Sequence, residues 1–220
     1  MPKIRRIVDL SIPIFPGMSR PAVIRDFEVK HVATVDKDGV DVSEIFMSAH
    51  TGTHFDAPKH FVGTGQTVDQ VNWETFIGEA VVLDLTRLEP KHEISRKDLE
   101  PFAAKIRPKD IVLLHTGSDK WLNKPEYATH YPYIGASAAR WLVEKKVSAV
   151  GVDFMAVDAL SKEPLSLDAH TTLLGAGIGI VECLANLRAI QSERSLFIAA
   201  PLKIEGGDAS PVRALAIELD

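Results

Sequence analysis

Four side chains that suit a metal ion lie close together in the first half of the chain. They are His50, His54, Asp56 and His60, all at even positions within residues 48–61. Imidazole nitrogens with a carboxylate oxygen form the donor set that borderline divalent ions select. A solvated loop that happens to be rich in histidine explains this density of donors less well. The stretch therefore predicts a metal centre.

A straight backbone would not bring His50 and His54 to one ion. Four strand rises of ~3.3 Å would place their α-carbons ~13 Å apart. One helical turn would bring them to ~6 Å, but the threonines, glycine and proline around them disfavour a helix. Gly52 permits a bend that turns both imidazoles towards a common point. The sequence therefore predicts a bent segment on which His50, His54 and Asp56 converge.

His60 follows Pro58, whose fixed φ redirects the chain. Its side chain can therefore approach the metal centre without binding the ion. An ordinary imidazole pKa of ~6.5 suits a general base that takes a proton from water. A histidine that only supports the site, or lies on the surface, is the alternative.

A second pair of candidate ligands lies far along the chain, where His170 precedes Glu182 by twelve residues. Glu182 falls within an apolar run, and a buried carboxylate needs a partner. The spacing leaves open whether that partner is a cation or an arginine. Asp153 and Asp158 flank another apolar run and could bind a metal, bind substrate or cap a strand.

Composition limits the class of protein. The chain has 220 residues, of which 45% are hydrophobic and 25% charged, and these values predict one folded domain over residues 1–220. The net charge of −5 argues against a nucleic-acid partner. No apolar run reaches the length of a membrane span, and no signal peptide is visible. Cys183 is the only cysteine, which excludes internal disulfides and suits a reducing cytoplasm.

Secondary-structure patterns predict an α/β fold, because buried apolar strands alternate with helices in the middle of the chain. A hairpin should precede the histidine-rich stretch, with strands at 27–35 and 40–47. The principal segments expected after it are strands at 80–85, 110–115 and 149–154, and helices at 95–105, 135–146 and 167–174.

The histidine-rich stretch also resembles a known family. Residues 50–61 read HTGTHFDAPKHF and match the pattern H-x-G-T-H-x-D-x-P-x-H-F of the putative cyclase family. That family includes bacterial kynurenine formamidase (arylformamidase) and isatin hydrolase. Further similar segments are residues 9–11, 110–117, 151–153 and 207–213. The resemblance thus extends over nearly the whole chain.

The resemblance implies a role for each candidate residue. His60 would be the catalytic base, and Asp56 would bridge two ions. Zinc would be the ion, one or two per chain, with manganese as an alternative. The implied fold is the swivelling β/β/α cyclase type with a β-barrel-like core, as a homodimer or homotetramer. The ligands of the first ion would be His50, His54 and Asp56, and those of the second Asp56, His170 and Glu182.

The implied activity is metal-dependent hydrolysis of amide-type bonds, of the arylformamidase kind, which converts N-formylkynurenine to kynurenine and formate. Hydrolysis of another small cyclic amide or ester, such as isatin, is the alternative within this class. A non-haem iron oxygenase built on His54, Asp56 and His170 would leave His50 and His60 without a role. A non-catalytic metal-binding module is the remaining hypothesis.

Two positions depart from the family pattern and bear on the small-molecule substrate. Ala156 stands where the family usually has a serine after its Gly-x-Asp motif. The opening loop lacks the family's substrate-contacting tryptophan and offers Phe15, or Ser19 and Arg20, in its place. The candidates for an apolar wall against an aryl group are Phe15, Phe55, Phe61 and Trp73, and all four could equally belong to the core.

Overall fold

A computed structural model describes residues 3–160 and 165–220 of the chain. Thirteen strands lie in these residues, and nine of them form one large sheet. The strands are β1 (Ile4–Asp9), β2 (Glu28–Ala33), β3 (Val42–Phe46), β4 (His54–Asp56), β5 (Ile77–Asp84), β6 (Glu93–Ile94), β7 (Ile111–His115), β8 (Tyr133–Ile134), β9 (Ala149–Val152), β10 (Gly179–Glu182), β11 (Arg194–Ile198), β12 (Ala209–Pro211) and β13 (Leu215–Leu219).

The helices of the described residues are short. The α-helices are α1 (Val35–Asp38), α2 (Arg96–Leu99), α3 (Glu126–Thr129), α4 (Ala136–Glu144) and α5 (Asp168–Gly175). The 3-10 turns are Pro58–His60, Trp73–Thr75, Glu100–Phe102, Ser118–Trp121 and Leu187–Ala189. No helix in residues 3–160 or 165–220 combines the length and apolar character needed to cross a membrane.

The large sheet has a parallel centre and antiparallel edges. Its order is β1-β13-β11-β5-β7-β9-β10-β4-β12, with β5, β7, β9 and β10 parallel to one another. The central strand β7 is fully buried over Ile111–Leu114, as expected for a parallel strand covered on both faces. The sheet curls into a half-barrel. The predicted α/β class with a barrel-like core is confirmed.

Most sequence-predicted segments are present, with differences at turns and prolines. The helix expected at 135–146 is α4, and Gly135 precedes its first turn. The helix expected at 95–105 begins with the predicted capping box of Ser95 and Asp98. That α-helix ends at Leu99, and a 3-10 turn follows that contains Pro101, which has no backbone N–H to donate.

The strands β2 and β3 form the hairpin that was predicted before the histidine-rich stretch, and they pair only with each other in the described part of the chain. The expected turn between them contains the single helical turn α1, which ends at Gly39 in the left-handed conformation. Both strands are largely exposed.

Candidate metal centre

Two of the candidate ligands, His54 and Asp56, lie on strand β4, which lies between β10 and β12 in the sheet. His54 and Asp56 occupy alternate positions of β4 and therefore point to the same face. Gly52 has a φ of 67°, in the left-handed region that glycine adopts without strain. The bend brings the ring centroids of His50 and His54 to 5.1 Å from each other. The predicted convergence of this segment is confirmed.

Asp56 is the residue around which the histidines are arranged. Its Oδ1 lies 2.9 Å from His50 Nδ1 and 3.4 Å from His54 Nε2. Its Oδ2 lies 3.7 Å from His170 Nε2. The two carboxylate oxygens therefore face different sets of imidazoles.

Glu182 and His170 complete the cluster from neighbouring elements. Glu182 ends β10 and pairs with His54 in the sheet, so that its Oε2 lies 3.5 Å from His54 Nε2. His170 lies on α5, and its Nε2 is 3.3 Å from Glu182 Oε1. No arginine pairs with Glu182 in the described residues; its Oε1 accepts a hydrogen bond from the backbone N–H of Val157.

Hydrogen bonds fix the orientation of two of the rings. His54 Nδ1 lies 2.9 Å from the carbonyl oxygen of Gly52, and His170 Nδ1 lies 2.6 Å from Asp158 Oδ2. A carbonyl or carboxylate can only accept, so each Nδ1 carries a proton. In the neutral ring each Nε2 would then present its lone pair to the cluster.

The two aspartates whose roles were left open have structural partners. Asp158 accepts hydrogen bonds from the backbone N–H groups of Ala169 and His170, so it caps α5 as well as orienting His170. Asp153 accepts from the backbone N–H groups of Thr116 and Gly117. Neither carboxylate is one of the candidate metal donors.

The electrostatics of the cluster fit a cation. Both oxygens of Asp56 are buried, and neither has a hydrogen bond of acceptable geometry within the described residues. Burial alone would raise the pKa of Asp56, but His54, His170 and His50 hold it well below 3.8. Burial also opposes protonation of His50, yet Asp56 and Asp208 raise its pKa to about 9. A divalent ion would satisfy the orphaned oxygens of Asp56.

His60 ends the 3-10 turn Pro58–His60 and lies beside the other imidazoles. Its ring centroid is 4.2 Å from that of His50 and 5.8 Å from that of His170. Burial lowers the pKa of His60 below 6.5, so the ring is neutral at neutral pH. His60 can also form a donor set with Asp56 and His170. Its assignment as base instead of ligand stays a prediction.

The sequence reasoning missed Asp208 as a site residue. Asp208 Oδ2 lies 2.9 Å from His50 Nε2 and 3.4 Å from His60 Nδ1. It directly precedes β12, and its carbonyl oxygen accepts a hydrogen bond from the backbone N–H of Ala57. The segment 207–213 was recognised only as part of the family resemblance, and that segment was the available signal.

A cavity of about 260 Å³ opens onto the cluster. We call its polar end the floor, formed by His50, His54, His60, His170 and Glu182 with Asp56 buried beneath. We call its opposite side the outer wall, formed by Ser19, Arg20, Pro21, Val23, Ile24, Leu160, Leu165 and Leu167. Met155, Ala156 and Phe61 also line it, so the Ala156 departure from the family pattern lies in the cavity.

Of the four aromatic candidates for an apolar wall, only Phe61 lines the cavity. Its ring stacks on His170 with centroids 4.6 Å apart. Phe55 is fully buried in the core, where its ring packs against Phe76. Phe15 and Trp73 are exposed and are not among the cavity residues. Phe61 thus fits the wall alternative, Phe55 the core alternative, and Phe15 and Trp73 neither, because strand parity and loop direction, not proximity in sequence, decide which ring faces the cavity.

A family model described as Putative cyclase matches residues 8–159, which include the whole histidine-rich stretch. The chain belongs to the putative cyclase family. This finding confirms the family that the signature indicated.

Curated relatives of this cyclase-family chain are named for one enzyme. It is similar to Kynurenine formamidase of Bacillus mycoides (strain KBAB4), with 36% identity over 80% of this chain and 79% of the relative. The Kynurenine formamidase of Bacillus anthracis is 31% identical over 97% of this chain and 98% of the relative.

Solved structures extend the comparison. Isatin hydrolase A from Labrenzia aggregata, bound to benzyl benzoate, has a TM-score of 0.88 and 29% identity, covering 98% of this chain and 94% of that one. A structure described as a potential metal-dependent hydrolase with cyclase activity has a TM-score of 0.80 and 29% identity, covering 98% of both chains. Together with the His/Asp cluster, these relatives confirm the predicted class, a metal-dependent hydrolase of non-peptide C–N bonds.

Proposed function

We propose that this cyclase-family protein is an arylformamidase-like hydrolase, with N-formylkynurenine as its best candidate substrate and kynurenine and formate as the products. One observation carries the proposal: Asp56 is buried beneath the floor of the cavity, histidines face both of its oxygens, and neither oxygen has a hydrogen bond of acceptable geometry within the described residues. The names of the curated relatives support the choice of substrate.

The proposed ligands divide into two sets that share Asp56. His50, His54 and Asp56 Oδ1 would hold one ion, and Asp56 Oδ2, His170 and Glu182 a second. Nitrogen and carboxylate donors without thiolates suit zinc, and manganese is the alternative. The chemistry that such an ion supplies is Lewis acidity, which lowers the pKa of water and polarises a carbonyl group.

His60 supplies the proton transfer in this proposal. It is neutral at neutral pH and 28% exposed, so it can accept a proton from the attacking water. The same ring can return that proton to the leaving nitrogen of the substrate. The described floor residues include no serine. The thiol of Cys183 borders the cavity, but burial raises its pKa to about 12, so it is not a thiolate at neutral pH, and water is the proposed nucleophile.

The cavity fits an aryl amide with a small acyl group. The formyl group would approach the floor, and the aryl group would lie against Phe61, Met155 and the apolar side chains of the outer wall. Arg20 is the cationic side chain among the described residues of this wall. Its Nε lies 3.4 Å from Asp26 Oδ1 and its Nη1 donates to the carbonyl oxygen of Ile24, so a substrate carboxylate would bind Arg20 in competition with Asp26.

Hydrolysis of a cyclic amide is the second candidate. It is favoured by the structural similarity to isatin hydrolase A, with a TM-score of 0.88. Hydrolysis of a cyclic amide opens the ring and leaves the new carboxylate and the new amine on one product molecule. The cavity would therefore have to hold both groups at once.

A homodimer or homotetramer in the cytoplasm completes the proposal. The hairpin β2–β3 exposes apolar side chains and pairs with no other described strand, which suits contact with a second copy. Cys183 is the only cysteine of the sequence and is buried, consistent with a reducing compartment. The exposed apolar residues of the hairpin are Val29, Val32, Val42, Ile45 and Phe46.

The experiment that tests the proposal pairs metal content with a substrate screen. Gently purified protein should contain at least one zinc or manganese ion per chain by elemental analysis. It should release free amine from N-formylkynurenine faster than it opens isatin or other small cyclic amides. A protein that contains the metal but hydrolyses no formamide and no cyclic amide would contradict the proposal.

A further inference from the structure

Asp208 contacts both His50 and His60, the two histidines at the solvent-exposed side of the cluster. Its Oδ2 lies 2.9 Å from His50 Nε2 and 3.4 Å from His60 Nδ1. The side chain of Asp208 is 46% exposed, whereas that of Asp56 is 1% exposed. Asp208 therefore contacts the cluster from its outer side, while Asp56 lies at its centre.

The position of Asp208 is fixed by the backbone around it. The backbone N–H of Ala57 donates to the carbonyl oxygen of Asp208, and that of Val68 donates to the carbonyl oxygen of Gly207. Gly207 has no room for a side chain, because an added Cβ would lie 2.9 Å from Val68 Cγ2. A carboxylate held in this way can orient a ring that it contacts.

The two nitrogens of His50 face two different carboxylates. Nδ1 lies 2.9 Å from Asp56 Oδ1, and Nε2 lies 2.9 Å from Asp208 Oδ2. A neutral imidazole has one N–H, so only one of the two contacts can be a hydrogen bond once an ion occupies the cluster. Donation from Nε2 to Asp208 leaves the Nδ1 lone pair facing Asp56 and the ion.

We propose that Asp208 is a positioning residue that holds His50 in its Nε2–H tautomer and orients His60 through Nδ1. This inference rests on the metal centre of the proposed function. It makes His50 a ligand through Nδ1, whereas the hydrogen bonds of His54 and His170 make both of them ligands through Nε2. One carboxylate thus orients a metal ligand and the base together.

The variant Asp208→Ala tests the effect on metal binding, with Glu205→Gln as the control. Glu205 is an exposed carboxylate in the same loop, so its variant removes one negative charge without touching either ring. Calorimetric titration of the metal-free proteins with zinc should show binding to Asp208→Ala weakened about 10- to 100-fold. Glu205→Gln should bind as wild type does. Equal affinity of Asp208→Ala and wild type would overturn the inference.

A second variant separates orientation from charge. The amide oxygen of Asp208→Asn can still accept from His50 Nε2, so this variant should recover part of the lost affinity. At saturating zinc, kcat of Asp208→Ala should fall about tenfold with KM unchanged, because His60 loses its partner. Circular dichroism confirms that each variant is folded.

Nitrogen-15 NMR of the histidine rings gives a signature that a merely structural role would not produce. In the zinc-loaded wild type, His50 should carry its proton on Nε2, and His54 and His170 on Nδ1. Zinc on Nε2 of His50, or Asp208 itself bound to zinc, would overturn the inference. Failure of the wild type to bind zinc would instead reject the proposed function.

Discussion

The floor and the outer wall of the cavity are built in different ways. Four of the proposed ligands stand on β4, β10 and α5, and these four, His54, Asp56, His170 and Glu182, are each at most 5% exposed. The outer wall comes from segments outside the strands and helices, and it includes side chains as exposed as Val23 at 92% and Leu165 at 51%.

This structural difference suggests that one region determines the class of reaction and the other the choice of substrate. Each of these four ligands belongs to the sheet or to α5, so a substitution there disturbs several partners at once. The outer-wall side chains lie on loop segments and are not among the ion-pair partners of these ligands, so a substitution there should leave the ligands in place. We therefore expect the floor to set the class of reaction and the outer wall to select among amides.

Removing a floor ligand should have the largest effect. His54→Ala leaves Asp56 Oδ1 and Glu182 Oε2 without their shared imidazole partner, so metal and activity should be lost together. Turnover should fall at least ~10⁴-fold, since several kcal/mol of transition-state stabilisation are lost. Elemental analysis and an amine-release assay measure both. The control is His92→Ala, which removes a histidine that is paired with Asp98 far from the cluster. A His54→Ala protein that still binds metal would contradict the division of roles between floor and outer wall.

Removing the base should separate two functions within the floor. His60→Ala should keep its metal and lose ~10²–10⁴-fold in turnover, because proton transfer is lost while the ligands remain. The same elemental analysis and amine-release assay apply. If the purified variant proves metal-free, His60 is a ligand and the assignment of roles is wrong.

The bend before β4 should matter for stability and for metal binding. Gly52→Ala places a Cβ 3.0 Å from Ile14 Cγ1 at a positive φ, which should cost about 1–2 kcal/mol of unfolding free energy and weaken zinc binding. Gly39→Ala has the same backbone strain, with φ 73°, in the distant hairpin. Denaturant unfolding and zinc titration should show a stability loss in both variants and an affinity loss in Gly52→Ala alone. Equal zinc affinity in the two would refute the role of the bend.

A change in the outer wall should have the smallest effect and should fall on KM. Arg20→Ala should raise KM for carboxylate-bearing N-formylkynurenine about tenfold, or about 1.4 kcal/mol, and leave neutral formanilide unchanged. Arg25→Ala is the control, since Arg25 pairs with exposed Glu28 and does not line the cavity. A fall in kcat or in metal content with Arg20→Ala would mean that substitutions in the outer wall disturb the ligands of the floor.

The sequence could predict the parts of the site that are local. The spacing of His50, His54 and Asp56 and the glycine between them were enough to predict the bend, because both depend on a few adjacent residues. The pairing of this stretch with His170 and Glu182 came from the family resemblance, since spacing alone left the partner of Glu182 open. The same limit applies to the fold, where apolar runs revealed strands but not their order.

Asp208 shows why the remaining part could not be predicted. It lies 158 residues from His50 in the sequence and reaches it through the pairing of β12 with β4. Asp158 likewise could have been a ligand by type, and only its hydrogen bonds to His170 and α5 reveal a capping role. Side chains whose roles depend on long-range strand pairing have no local signal.

The most direct test of the central claim is a metal titration of the metal-free protein, with the rate of N-formylkynurenine hydrolysis recorded against bound zinc or manganese. The account predicts a rate that rises with bound ion and saturates at one or two ions per chain. A rate that is the same with and without bound metal would contradict it.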